Sequence, residues 1–178
     1  MDHINKTISD SGFKISLNLG RKRTKVNLKD TLSPKIIDKF YDIVKNITDA
    51  PLTITGVMSV EYSCLYGKPN LPPHFDGDSN ELIINMQVSS NTSWDIGLNL
   101  DVYKMEDNSA LIFNANKEIH WRTHKEFKDG EYVRMLFVRF CNLEDMKDNS
   151  NLFNLSKNDP IFKDIIDFRD QLSTDKYT

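Results

Sequence analysis

Three residues of this chain have the types and spacing that suit a metal ion: His74, Asp76 and His120. In an extended segment, side chains two positions apart point to the same face, so His74 and Asp76 can present an imidazole nitrogen and a carboxylate oxygen to one small ion. His120 stands 44 positions beyond Asp76, which is room for a strand, a turn and a returning strand that bring a third ligand across. Two imidazoles and one carboxylate leave coordination positions open, and Fe(II) uses such positions to take a bidentate co-substrate and O₂ together. His124 competes with His120, since both point to one side of a strand. They would lie about 13 Å apart, so only one reaches the ion.

The elements that must position these residues are mostly β. Phe13, Ile15, Leu17 and Leu19 alternate with polar residues, the period of a half-buried strand. Ser33-Pro34 opens a helix whose Ile36, Ile37, Phe40, Tyr41, Val44 and Ile47 share one face. Strands are expected at Thr53–Leu65, Glu81–Ser89, Ile96–Tyr103, Ala110–Phe113, Ile119–Thr123 and Tyr132–Cys141, separated by turn signals such as Gly67-Lys68-Pro69-Asn70 and Lys128-Asp129-Gly130. After Cys141 the chain turns polar until Asp159-Pro160 restarts a helix with Ile161, Phe162, Ile165, Ile166 and Leu172. The reading is one domain over residues 1–178, mainly β, with its core at about 53–141 and a helical appendage at 142–178.

In order, the chain shows a glycine-proline turn, His74-x-Asp76, Trp94-x-x-Gly97, Leu111-Ile112-Phe113, His120, Gly130 and Arg134. Over roughly Met58 to Cys141 this resembles the Fe(II)/2-oxoglutarate-dependent oxygenases, closest to their prolyl-hydroxylase-like branch. The resemblance implies a double-stranded β-helix, or jelly roll, with helices from the N- and C-terminal segments bracing the larger sheet. It implies Fe(II) on His74, Asp76 and His120, with 2-oxoglutarate and O₂ consumed to hydroxylate a peptidyl or free amino-acid side chain. Relatives that halogenate carry a small residue in place of the acid, so Asp76 favours hydroxylation. Arg134 matches the basic residue that grips the far carboxylate of 2-oxoglutarate, a task that suits a guanidinium fork. Alternation groups Arg134 with Leu136, Val138 and Phe140 and puts Arg139 on the other face. Tyr66 matches the tyrosine that points toward the co-substrate, and Tyr62 is the second choice. Asn85 and Gln87 could supply amides to 2-oxoglutarate, with the inward face left open.

Other residues receive blander readings. Arg122 shares the face of His120 and either holds an acidic part of the substrate or makes a rim salt bridge. Trp94 and Trp121 are read as packing residues. The run Asp76-Gly77-Asp78-Ser79-Asn80 mimics half a calcium loop but has Glu81 where that loop needs glycine and Gln87 where it needs glutamate. His3 is assigned nothing.

The 178 residues are 39% apolar and 28% charged, enough for a core without disulfides, and Cys64 and Cys141 are read as small core residues of a reducing compartment. A net charge of −3 gives no basic field for a nucleic-acid backbone, so nucleic acid is a disfavoured partner. No signal peptide or membrane span is read, and the chain is expected in the cytoplasm, acting on a small molecule or peptide. The competing reading is a non-catalytic jelly-roll module for a sugar or peptide with a residual metal site. A zinc hydrolase ranks third, because no separate general base stands at a suitable spacing.

Overall fold

Two antiparallel sheets face each other across an apolar core in a computed structural model that describes residues 7–10, 13–26, 32–76, 81–142 and 160–174. The larger sheet has the strand order β1 (Thr7–Asp10), β2 (Phe13–Ser16), β3 (Arg21–Lys25), β4 (Leu52–Ser63), β10 (Tyr132–Asn142), β5 (Leu82–Ser90), β8 (Ala110–Phe113). The smaller sheet is β7 (Asp101–Tyr103), β6 (Ile96–Leu98), β9 (His120–Arg122). Two helices accompany them, α1 (Pro34–Lys45) and α2 (Pro160–Thr174). This is a jelly-roll β-sandwich, as expected from the many short apolar strands. Among the described residues no helix is long and apolar enough to cross a membrane.

Strand alternation assigns the layers. On β10 the odd-numbered Val133 and Met135 point between the sheets and join Val60 and Tyr62 of β4, Ile83 of β5, and Trp94, Ile96 and Leu98 from the opposite side. The even-numbered Val138 and Phe140 point the other way and pack under Phe40 and Val44 of α1. Both faces of β10 are therefore apolar in its middle. α1 begins as the sequence indicates, with Ser33 extended and Pro34 in the first turn.

Several boundaries differ from the sequence reading. The strand at Phe13 stops at Ser16, and Leu17–Leu19 form a 3-10 turn closed by Gly20 at φ 53. A side chain at Gly20 would also sit 2.2 Å from the backbone nitrogen of Pro69, so glycine is required twice over. The expected Ile96–Tyr103 strand is broken by Asn99 at φ 52 into β6 and β7. Strands β1 and β3 carry no apolar alternation and were not expected. α2 does not brace the larger sheet. Its Ile165 packs on Ile119 and Trp121 beside Phe75, and Phe168 meets Trp121 edge-on at 6.1 Å, so α2 backs the smaller sheet behind β9. Trp121 in turn lies over Gly97, where any side chain would come within 2.0 Å of the indole. The calcium-like run at 77–80, the polar stretch at 143–159 and His3 lie outside the described residues.

Candidate metal centre

The His-x-Asp segment is held as an extended strand at the edge of the smaller sheet. His74 and His120 exchange both backbone hydrogen bonds, at 3.2 and 3.0 Å, and Asp76 N–H donates to Ala115 O at 2.8 Å. This pairing, rather than sequence proximity, sets the two imidazoles side by side, with ring centroids 4.2 Å apart. The Nε2 atoms of His74 and His120 each lie 3.7 Å from Asp76 Oδ1, and the three ligand atoms all fall within 4.8 Å of one another.

Backbone carbonyls fix the tautomers. His74 Nδ1 lies 2.8 Å from Pro72 O, and His120 Nδ1 lies 3.2 Å from Glu118 O. A carbonyl only accepts, so each Nδ1 carries the proton and each Nε2 turns a lone pair toward the cluster. At His74 protonation does not compete at neutral pH. Burial, reinforced by His120, pushes the His74 imidazole down from 6.5 to about 4. Burial works to raise the Asp76 carboxyl, but its neighbours His120, His74 and Arg139 outweigh it and hold Asp76 below its ordinary value. Two imidazole nitrogens and a carboxylate are a donor set for a divalent cation with open positions.

The cluster lines one end of a cavity of about 150 Å³. Tyr62, Asn85, Met58, Phe137, Ile83 and Leu71 form its body, and Arg21, Arg23 and Arg139 complete it. Tyr62 is buried, edge-on to Trp94 at 4.9 Å, and its hydroxyl accepts a long 3.4 Å contact from Arg21 Nη1. Asn85 is buried on the floor with its Oδ1 unpartnered.

Other residues singled out in the sequence lie elsewhere. Arg134, expected to reach toward the metal ligands, points from the outer face of β10. There it donates through Nε to Glu61 Oε2 at 2.6 Å, stacks on Tyr132 at 4.4 Å, and is 51% exposed. Tyr66 donates to the same carboxylate at 2.9 Å, so Arg134 and Tyr66 belong to one surface network outside the cavity. The grouping by alternation was right, but the cavity lies on the other face, where Arg139 projects beside Phe137.

Gln87 shares Asn85's inward face but spends its amide on Ser90, Met105 O and Asp107 at the far end of the sheet. Arg122 shares the face of His120, as expected, yet it is sealed in the core. It donates to Trp94 O, contacts Met135 Sδ at 3.4 Å and stacks 5.2 Å from the Trp94 ring. Burial lowers its guanidinium to about 10, so it stays charged at neutral pH and serves packing, with no path to a substrate. His124 pairs with Asp170 of α2 at 2.9 Å, away from the cluster.

Sequence reasoning missed Arg21, Arg23 and Arg139. The available signal was the pair Arg21-x-Arg23 directly after a glycine turn, two cations committed to one face of a strand.

No protein-family model matches this chain, and no curated protein matches it. Among solved structures, KdgF from Halomonas sp. is similar at 12% identity and TM-score 0.38, covering 78% of this chain and 90% of its own. The Schizosaccharomyces pombe Cnp3 cupin domain aligns at 12% identity and TM-score 0.42, covering 75% and 74%. The polyketide cyclase RemF from Streptomyces resistomycificus aligns at 13% identity and TM-score 0.40, covering 79% and 80%. At this level of similarity these neighbours carry no argument about chemistry, which must come from the site.

Proposed function

We propose that this chain is an Fe(II)- and 2-oxoglutarate-dependent dioxygenase that hydroxylates its substrate. The observation that carries the reading is one cavity with His74 Nε2, His120 Nε2 and Asp76 Oδ1 converging at one end and, at the other, guanidinium groups that form no salt bridge among the described residues. The donor set fits Fe(II), and the unpartnered guanidinium Nε–H groups fit a carboxylate-bearing co-substrate. Bound iron with 2-oxoglutarate supplies the oxidising power: substrate R–H, 2-oxoglutarate and O₂ become R–OH, succinate and CO₂, with one oxygen atom in the alcohol and the other in succinate.

The chain's own residues bind, orient and exclude water. His74 and His120 are locked by Pro72 O and Glu118 O so that neither ring must turn when metal enters. Arg139 takes the role first given to Arg134: it sits on the inner face of β10, opposite Gly56, which leaves open space above the strand. Asn85 on the neighbouring strand is placed to donate to the same carboxylate, and Met58 and Phe137 keep the space between apolar.

The test is spectroscopic and kinetic. Anaerobic Fe(II) with 2-oxoglutarate should give a weak visible charge-transfer band at about 500 nm, and air should release succinate. Arg139→Leu should weaken 2-oxoglutarate binding by about tenfold or more, since a charge-assisted hydrogen bond contributes ~1.5–3 kcal/mol. Arg134→Leu should leave it within about twofold, because that side chain is spent on a surface pair. Metal binding with neither band nor succinate would replace the oxygenase with a non-catalytic jelly-roll module.

A further inference from the structure

The arginine end of the cavity holds more positive charge than a single co-substrate needs. Arg21 and Arg23 project from one face of β3, and Arg139 reaches the same space from β10. The Nε atom of each is buried without a hydrogen-bond partner, and none of the three forms a salt bridge among the described residues. Burial, with the charges of Arg21 and Arg139, outweighs the opposing pull of Tyr62 and Asp76 and lowers the Arg23 guanidinium, as expected of cations crowded together in a half-buried space. Asp76 is the one acidic residue lining this cavity among the described residues, and it is a metal ligand. Clustered cations without counter-ions destabilise a fold, so an arrangement of this kind marks a place where an anion binds.

A charge count on the oxygenase reading sharpens this. A divalent ion held by one carboxylate keeps a single positive charge, which the metal-bound carboxylate of 2-oxoglutarate neutralises. Its far carboxylate neutralises one guanidinium, that of Arg139. The two guanidinium charges on β3 are left over. A nucleic-acid polymer is the wrong occupant, because the chain as a whole carries a net charge of −3. We infer that the substrate is a small dianionic metabolite, carrying a phosphate monoester or a pair of carboxylates, whose anionic head sits on Arg21 and Arg23 while its reacting carbon faces the His74, Asp76 and His120 cluster. This rests on the oxygenase reading for the reaction, but the anion site itself does not depend on it.

The experiment uses the full chain loaded with redox-inert Mn(II) and saturated with N-oxalylglycine, a non-reacting mimic of 2-oxoglutarate, titrated calorimetrically at low salt. The probes are glycerol 3-phosphate for the phosphate class, L-malate for the dicarboxylate class, and glycerol as the neutral control. One dianion should bind with a dissociation constant on the order of 1 mM or tighter, and glycerol should not bind. Arg21→Gln and Arg23→Gln should each weaken that binding by about tenfold, with affinities for Mn(II) and N-oxalylglycine held within about threefold. If either variant fails to fold, the contrast between glycerol 3-phosphate and glycerol on the unmodified chain decides. Binding of N-oxalylglycine with no binding of either dianion overturns the dianionic substrate and leaves the oxygenase standing. Arginine-dependent binding of a dianion with no binding of N-oxalylglycine does the reverse, removing the co-substrate while keeping the anion site. Dianion binding that neither substitution moves also overturns the assignment to β3.

Discussion

The two ends of the central cavity are built on opposite principles. At the metal end every polar atom is prepared by its neighbours: Pro72 O and Glu118 O hold the imidazoles, and the strand pairing of residues 74 and 120 sets their spacing. At the arginine end the Nε atoms of Arg21, Arg23 and Arg139 are buried with no hydrogen-bond partner among the described residues. One end is complete as a ligand set before its ion arrives. The other is incomplete without an anion, so it stores instability that binding relieves.

The largest expected effect breaks one end while sparing the other. Asp76→Ala removes the only anionic member of the cluster and leaves the two imidazoles, and His120→Ala removes the ligand fixed most deeply in the fold. Each should lower Mn(II) affinity by on the order of a hundredfold or more, since loss of mere supporting contacts around a metal already costs ~10–100-fold. Chelator competition measures this, and dianion binding at the arginine end should persist in both variants. Asp76→Ala protein that keeps its Mn(II) affinity within about tenfold would mean the cluster is not the metal site.

The two ends also differ in how far the sequence disclosed them. His74-x-Asp76 could be read from spacing because a strand's period of two converts sequence distance directly into a shared face. The expected partner His120 followed from chain order, and the cross-strand pair with His74 shows why: β9 returns beside the extended 71–76 segment. The arginine end was harder to read for two physical reasons. β3 reads Arg-Lys-Arg-Thr-Lys, so the apolar alternation that normally reveals a strand is absent where a strand lines a charged cavity. β10 is apolar on both faces because α1 covers one and the smaller sheet the other, so alternation separated Arg134 from Arg139 correctly yet held no sign of which face was inward. Arg122 illustrates the converse: it was placed on the right face, but the depth of the core at Trp94 and Met135 was not written in any local pattern.

Acid should separate the ends next. An unfolded histidine titrates near its ordinary 6.5, whereas His74 in the metal-free fold titrates at about 4. Between these values the unfolded chain binds the extra proton, so folding stability is full above 6.5 and declines as pH falls toward 4. Asp76, held below its ordinary value, adds stability that is lost at still lower pH as the folded carboxyl itself takes up a proton. Metal-stripped protein should therefore show a falling Tm from pH 7 to pH 4. His74→Gln should flatten that slope, and the guanidinium groups, charged throughout, add none. Equal slopes in the two proteins would show that His74 is not the residue that senses acid.

The smallest effect contrasts an arginine of the cavity with one on the surface, and the two should differ in sign. Arg134 has Glu61 as a partner at 2.6 Å, and although burial works to raise that carboxyl, hydrogen bonds from Arg134 and Tyr66 hold it below its ordinary value. Half-exposed and screened, the pair contributes ~0–1 kcal/mol, so Arg134→Gln should lower the Tm slightly or leave it unchanged. Arg23 has no such partner and faces Arg21 and Arg139. Replacing it with glutamine removes a repulsion from the ligand-free protein, so Arg23→Gln should raise the Tm by an amount worth about 1 kcal/mol or less. Added glycerol 3-phosphate or L-malate should then stabilise the unmodified chain more than the variant, because only the former has the full charge to be neutralised. A lower Tm for Arg23→Gln in the absence of any anion would mean that Arg23 supports the fold, and the contrast between a surface arginine in a salt bridge and cavity arginines without one among the described residues would fail.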